Sequence, residues 1–310
     1  MTPPARPRVV AIVGPTASGK TGVAIEVARC VRAEVISADS RQVRREMVIG
    51  TAAPTREELE AVPHHLVGVV APDATWNLSD WLDEARALIP AIVGRDALPI
   101  VVGGTGQYVW ALLEGWEVPE VPPLPEFRTR LEARAAAGEG PALHDELRAV
   151  DPASAERIDP RNSRRVIRAL EIVEATGAPV TPLEPRDPGF DAHVVGLRWS
   201  RETIHRRADA RVVAMFEGGL VEEVRGLIER YGRDFDALRS IGYREALGVI
   251  EGTMSVAEAI RRTQVETHRL IRMQANWFRE EDPRIQWVDG QHIEAAVQAV
   301  LAVVGDGASS

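Results

Sequence analysis

The segment RVVAIVGPTASGKT, residues 8–21, joins two patterns end to end. Val9–Val13 is an apolar, β-branched run, which predicts a buried strand ending at Gly14. Gly14, Pro15, Thr16, Ala17, Ser18, Gly19, Lys20 and Thr21 then fit G-x-x-x-x-G-K-[ST], a phosphate-cradling loop. Behind it, TGVAIEVARCVR (21–32) places apolar residues at helical spacing. Such a loop offers backbone N–H groups and the positive end of a helix dipole to phosphate oxygens. Lys20 is placed to reach the terminal phosphates, and Thr21 to help hold a Mg²⁺ bound to them. Lys20 is also the only lysine in the chain; every other basic side chain of this class is arginine. The loop therefore keeps a compact ammonium where a planar guanidinium would serve poorly.

Outward from the loop the pattern alternates. AEVISADS (33–40) predicts a second strand with Asp39 at its carboxyl end. LSDWLDEARALIPAIVGRD (78–96) predicts an amphipathic helix capped by Ser79. LPIVVGGTG (98–106) predicts a third buried strand opening into a glycine-rich turn that carries Thr105. This order implies an α/β fold: a parallel P-loop sheet flanked by helices, with right-handed crossovers. Ligands on such sheets sit at the carboxyl ends of the strands, so Lys20, Asp39 and Thr105 are expected to share one crevice.

VPEVPPLPEF (118–127) and GAPVTPLEPRDPGF (177–190) are proline-rich and read as linkers. They bracket a block, 126–177, that reads as wholly helical. The expected organisation is a catalytic core of residues 1–117 and 191–310 with a helical insertion, 118–190. HVVGLRWS (193–200) reads as a strand returning to the sheet, 201–278 as helical, and 292–304 as a last helix.

A net charge of −9 argues mildly against a nucleic-acid partner, although a local basic patch can survive such a sum. A single cysteine, Cys30, excludes an internal disulfide and a multi-cysteine zinc site and fits a reducing cytoplasm. No apolar stretch is long enough to span a bilayer, so no membrane partner is expected. His64 and His65 have no cysteine or carboxylate at ligand spacing and read as structural. Trp76, Trp81, Trp110 and Trp116 read as core or pocket wall.

A phosphate loop does not by itself specify phosphoryl transfer. P-loop ATPases hold their Mg²⁺ with an acid at the end of another core strand, where this chain has glycines and then Thr105. That weakens a motor or switch NTPase and leaves a small-molecule kinase open. For Asp39 three roles fit the residues: Mg²⁺ ligand, general base, or N-cap of a helix at ADSRQV.

Five further motifs occur in order: VISADSRQV (35–43), MVIGTAAPT (47–55), VPHHLVGV (62–69), VVGGTGQYVWALLEG (101–115) and SIGYREALGVIEG (240–252). With the phosphate loop they make the chain resemble the bacterial tRNA dimethylallyltransferases (tRNA isopentenyltransferases), from about residue 9 to about residue 288. The resemblance implies that the diphosphate belongs to dimethylallyl diphosphate. The five-carbon group would pass to the exocyclic amine of the adenosine just 3′ of the tRNA anticodon.

Residue by residue, the resemblance makes Asp39 the general base and Thr105 an active-site threonine near the diphosphate. It makes Arg211 a diphosphate ligand, on one helical face with Arg207. Without the resemblance, this arginine pair reads as a solvated face. It implies tRNA contact through Asp39, Ser40, Arg41 and Gln42, through Thr105 and Arg128, and through Arg164, Arg165, Val166, Ile167 and Arg168. A last implied contact is Arg239, Ser240, Ile241, Gly242, Tyr243 and Arg244. Arg161 with Arg164, Arg165 and Arg168, and Arg262 with Arg269, Arg272 and Arg279, read as basic faces. The implied partners are the anticodon stem-loop and dimethylallyl diphosphate, with Mg²⁺ as cofactor and a cytoplasmic monomer expected. Arg44, Gln107 and Met273 depart from the family's usual Tyr, Leu and Arg. Competing readings are a free-nucleotide prenyltransferase, a small-molecule kinase and a non-catalytic RNA-binding protein. The helical insertion favours tRNA over a free nucleotide.

Overall fold

A computed structural model describes residues 6–119 and 121–305. In chain order the first part runs β1 (Arg8–Val13), α1 (Lys20–Cys30), β2 (Ala33–Ser37), α2 (Arg56–Ala61), β3 (His64–His65), α3 (Leu78–Val93), β4 (Leu98–Gly103) and α4 (Gly106–Leu113). There follow α5 (Pro125–Arg134), α6 (Gly140–Val150), α7 (Pro152–Arg157) and α8 (Ser163–Thr176). The chain continues with β5 (Asp191–Arg198), α9 (Arg201–Glu217), α10 (Leu220–Tyr231), α11 (Tyr243–Ile250), α12 (Val256–Trp277), β6 (Ile285–Asp289) and α13 (Ile293–Gly305).

Among the described residues the six strands form one sheet in the order β3-β2-β4-β1-β5-β6, and every pairing is parallel. β1 lies at its centre with Val9–Val13 fully buried, which is why that strand reads as an unbroken apolar run. Helices α1 and α13 supply apolar side chains, among them Val23, Val27 and Val300, to the same core. The carboxyl ends of β1, β2 and β4 carry the phosphate loop, Asp39 and Thr105.

Two compact units are present. One comprises Met1–Trp116 with Pro185–Ser310, the other Glu117–Glu184. The second boundary falls before the expected residue 190. Residues 185–190 are tied to the sheet unit: Arg186 N–H donates to Glu114 O at 2.7 Å, and Arg6 pairs with Asp187. The smaller unit has its own core of Leu131, Leu143, Leu147, Val166, Ile167 and Leu170.

Several local expectations are corrected. Asn77, not Ser79, caps α3: its side chain accepts from Ser79 N–H at 2.7 Å and Asp80 N–H at 3.3 Å. The block 126–177 is not continuously helical. Asp151 ends α6 and caps α7, and Asn162 caps α8 after an irregular stretch. Arg161 therefore lies outside the helix that was expected to carry it, bound to Asp159. Strands β3 and β6 had no expectation at all.

Candidate active site

The loop between β1 and α1 is braced from three directions. Gln274 on α12 accepts from Thr16 N–H at 2.9 Å and donates to Gly104 O at 3.1 Å. Arg207 Nε on α9 donates to Ala17 O at 2.9 Å, and Trp199 Nε1 donates to Ser18 O at 3.1 Å. Arg211, one turn further along α9, donates to the Thr16 hydroxyl. Its Nε is buried without a hydrogen-bond partner. Arg207 and Arg211 are thus directed at the loop, which corrects the solvated-face reading for Arg211; Arg207 stays exposed while it bonds the loop.

Lys20 folds over the same loop, donating to Pro15 O at 2.8 Å and Gly14 O at 3.1 Å. Burial, reinforced by the nearby Arg211 cation and opposed by Asp39, pulls its pKa down to about 8. Burial first, then Arg41, lowers Arg211 to about 10 against the opposing pull of Asp39. Gathering cations in a partly desolvated place is costly unless an anion joins them.

Thr16–Thr21, Asp39, Gln42, Val102, Gly103, Arg207 and Arg211 line a cavity of about 460 Å³. Lys20, Thr21, Asp39 and Arg211 are thereby brought together, as expected. Gly14 and Pro15 instead form the back of the loop, facing a separate cavity. Thr105 does not line the site cavity. Its hydroxyl accepts from Ser40 N–H at 3.1 Å, so it bonds the segment that follows Asp39.

Asp39 Oδ1 accepts from Arg41 N–H at 2.9 Å and Gln42 N–H at 3.4 Å. These bonds close a turn; no helix follows, so the N-cap reading is replaced by a turn that fixes the carboxylate beside the loop. Oδ2 has no hydrogen-bond partner among the described residues. The missing acid at the end of β4 has a steric cause. A Cβ on Gly103 would fall 2.1 Å from Ala38 O, and one on Gly104 2.2 Å from Gln274 Nε2. At Gly103 the obstacle is main chain; at Gly104 the Gln274 amide would have to give up its place.

The residues expected to meet RNA are distributed differently. Ser40 is exposed and Arg41 half-buried, while Gln42 is engaged internally: it accepts from the Ser37 hydroxyl at 3.2 Å and donates to Ala52 O at 3.0 Å. Arg164 and Arg165 are exposed. Val166 and Ile167 are core residues, so their side chains are not presented to a partner. Arg128 and Arg168 both bind the fully buried Glu171 carboxylate at 2.6 Å. Glu171 lies three residues after Arg168, beyond the acid-free stretch 161–168. Arg262 and Arg269 likewise pair with Glu258 and Glu266. Arg239 pairs with Asp234 and Asp236, and Arg244 with Glu245 and Glu266. The Ser240 hydroxyl donates to Ala237 O at 2.6 Å, Ile241 is half-buried, and Gly242 N–H donates to Glu245. Tyr243 is buried, its hydroxyl donating to Glu223 at 2.7 Å.

The three departures also find places. Arg44 donates to Pro72 O and Ala74 O at 2.8 Å each, and Gln107 and Met273 are exposed. Among the described residues no group of three or more His, Cys, Asp or Glu could hold a metal ion. His65 instead bonds Glu34 at 2.7 Å. Sequence reasoning missed Gln274, Trp199 and Glu223, whose partners are distant along the chain.

Residues 42–281 match the model of the IPP transferase family, and residues 7–66 match that of isopentenyl transferase. The chain belongs to the IPP transferase family. A tRNA dimethylallyltransferase of Roseiflexus castenholzii is 46% identical over 273 residues, covering 87% of this chain and 89% of that protein. Among solved structures, the tRNA isopentenylpyrophosphate transferase of Bacillus halodurans superposes with a TM-score of 0.70 at 36% identity, covering 96% and 97% of the two chains. A eukaryotic dimethylallyltransferase acting on tRNA superposes with a TM-score of 0.80 at 26% identity, covering 98% of this chain and 80% of that one.

Proposed function

We propose that this chain transfers the dimethylallyl group of dimethylallyl diphosphate to the exocyclic amine of the adenosine 3′ of the tRNA anticodon. The observation that carries the proposal is one cavity lined by Lys20, Arg211 and Asp39. In the reaction the allylic C–O bond breaks, diphosphate leaves, a C–N bond forms and the amine loses a proton. Loop amides, Lys20 and Arg211 stabilise the charge that grows on the departing oxygens. Asp39 Oδ2 orients the amine and takes its proton, while the turn holds Oδ1. The adenosine leaves its stack to reach the site.

Thr21 supplies a hydroxyl oxygen on this cavity, which fits Mg²⁺, an ion that usually keeps waters and binds through few protein oxygens plus phosphates. Bound there, Mg²⁺ would neutralise diphosphate charge. Arg41, Arg164 and Arg165 are the cations this reading assigns to RNA phosphates; each is exposed or half-buried. Among the described residues no helix is long and apolar enough to cross a membrane.

Purified protein, unmodified tRNA, dimethylallyl diphosphate and Mg²⁺ are to be incubated and the tRNA nucleosides analysed by mass spectrometry. The expected product is isopentenyladenosine. Unchanged adenosine under conditions in which both substrates bind would refute the proposal.

A further inference from the structure

Glu223 is a half-buried residue of α10 whose carboxylate collects four donors. Oε2 accepts from Val48 N–H at 3.0 Å and Ile49 N–H at 2.8 Å. Oε1 accepts from Gly50 N–H at 3.3 Å and from the Tyr243 hydroxyl at 2.7 Å. Three successive amides on one carboxylate make a charge-assisted grip on the main chain. Burial first, and then the Glu223 charge, raise the Tyr243 pKa, so the phenol stays a donor. The gripped turn packs against the same ring: a Cβ on Gly50 would fall 2.4 Å from Tyr243 Cε2. Ala52 has φ 49°, a left-handed conformation that a residue with a side chain seldom adopts. Such a turn keeps its shape only where its surroundings impose it.

The turn reaches the site through one side chain. Gln42 Nε2 donates to Ala52 O at 3.0 Å and to Thr51 O at 3.4 Å, and its Oε1 accepts from the Ser37 hydroxyl at 3.2 Å. Gln42 N–H closes on Asp39 Oδ1 at 3.4 Å. Gln42, Thr51 and Ala52 line the same cavity as Lys20, Asp39 and Arg211. The bonds that brace the phosphate loop from α9 and α12 involve none of these contacts. The loop and the Asp39 turn are thus supported by separate helices. We infer that Glu223 is a positioning residue for the transfer step, holding residues 48–52 so that Gln42 and Asp39 keep their places beside the acceptor amine. The inference rests on the proposed function, which assigns that amine to Asp39.

The test compares the full chain as wild type, Glu223→Gln and Gln42→Ala. Single-turnover prenylation is followed at saturating tRNA and dimethylallyl diphosphate, and inorganic diphosphate binding is measured directly. Glu223→Gln sets an NH₂ group against main-chain N–H groups in place of an acceptor. It is expected to lower the rate constant about tenfold or more, with amplitude and diphosphate affinity within about twofold of wild type. Gln42→Ala should slow transfer at least as much, because it removes the link through which Glu223 acts. A wild-type rate constant in either variant overturns the inference. So does a loss confined to the amplitude, which marks a merely structural role, or a parallel loss of diphosphate affinity. Should Glu223→Gln not fold, Glu223→Asp, which keeps the charge and shortens its reach, is judged by the same readings. Failure of the proposed function looks different: the wild-type protein would then form no isopentenyladenosine with both substrates bound.

Discussion

In the smaller unit Arg128 and Arg168 both end on the carboxylate of Glu171, whereas Lys20, Arg207 and Arg211 around the phosphate loop bond only main-chain carbonyls and hydroxyls. Burial pushes the Glu171 carboxyl up, but its bonds from Arg128, Arg168 and Leu124 N–H overrule this and hold its pKa below the usual range. Glu171 and its arginines are a completed structural element. At the loop, burial pulls Lys20 and Arg211 the other way, toward losing their charge. Arginine content alone says little about function. What separates scaffold from site is whether the positive charges already have counter-charges.

The contrast breaks if the loop cluster tolerates change. Asp39→Asn keeps the turn-forming acceptor and removes the base. It is expected to lower turnover about a thousandfold with tRNA and diphosphate affinities nearly unchanged, measured by single-turnover prenylation and direct binding. A modest loss in kcat would remove Asp39 from the role of base. In the smaller unit the expected effect is on stability. Glu171→Ala leaves two half-exposed cations and the Leu124 N–H without their partner and should destabilise by about 1–3 kcal/mol, read by urea unfolding. Inorganic diphosphate affinity should stay at the wild-type value; a parallel loss would mean that Glu171 also serves the loop.

The pH dependence sharpens the same comparison. With its pKa near 8, Lys20 is charged below that pH and neutral above it in the free protein. A bound anion raises that pKa, so binding takes up protons above pH 8 and diphosphate affinity falls as pH climbs through it. The expected loss is about tenfold per pH unit at most. Calorimetry in two buffers of different ionisation enthalpy measures the uptake, and Lys20→Met should abolish it. The smallest effect belongs to the exposed arginines. Arg164→Ala or Arg165→Ala should leave stability within about 0.5 kcal/mol. Each should weaken tRNA binding a few-fold and lower the salt slope by about one unit. A variant with wild-type salt dependence would take that side chain off the RNA.

The sequence revealed most where chemistry is local. Val9–Val13 and the adjoining loop define a central strand and a phosphate site because burial on both faces and a fixed motif coincide. Asp39 was legible as a strand-end carboxylate, but its turn geometry was not, since Asp-initiated turns and helix caps begin alike. β3, with two residues, and β6, only partly buried, are too short or too exposed to show a period. Helical spacing put Arg207 and Arg211 on one face but could not say which face α9 turns toward the loop. The bonds of Arg128 and Gln274 span 43 to 258 positions, and nothing in a linear pattern records them.

Gln274 joins the Thr16 amide to the Gly104 carbonyl through a single planar group. A carboxylate in its place would lose the donor and set a negative charge beside an anion cradle; a hydrocarbon would lose both bonds. The primary amide is therefore a neutral rivet between the phosphate loop and the turn that follows β4. A tilt of α12 would thus disturb the Thr16 amide and the Gly104 carbonyl together.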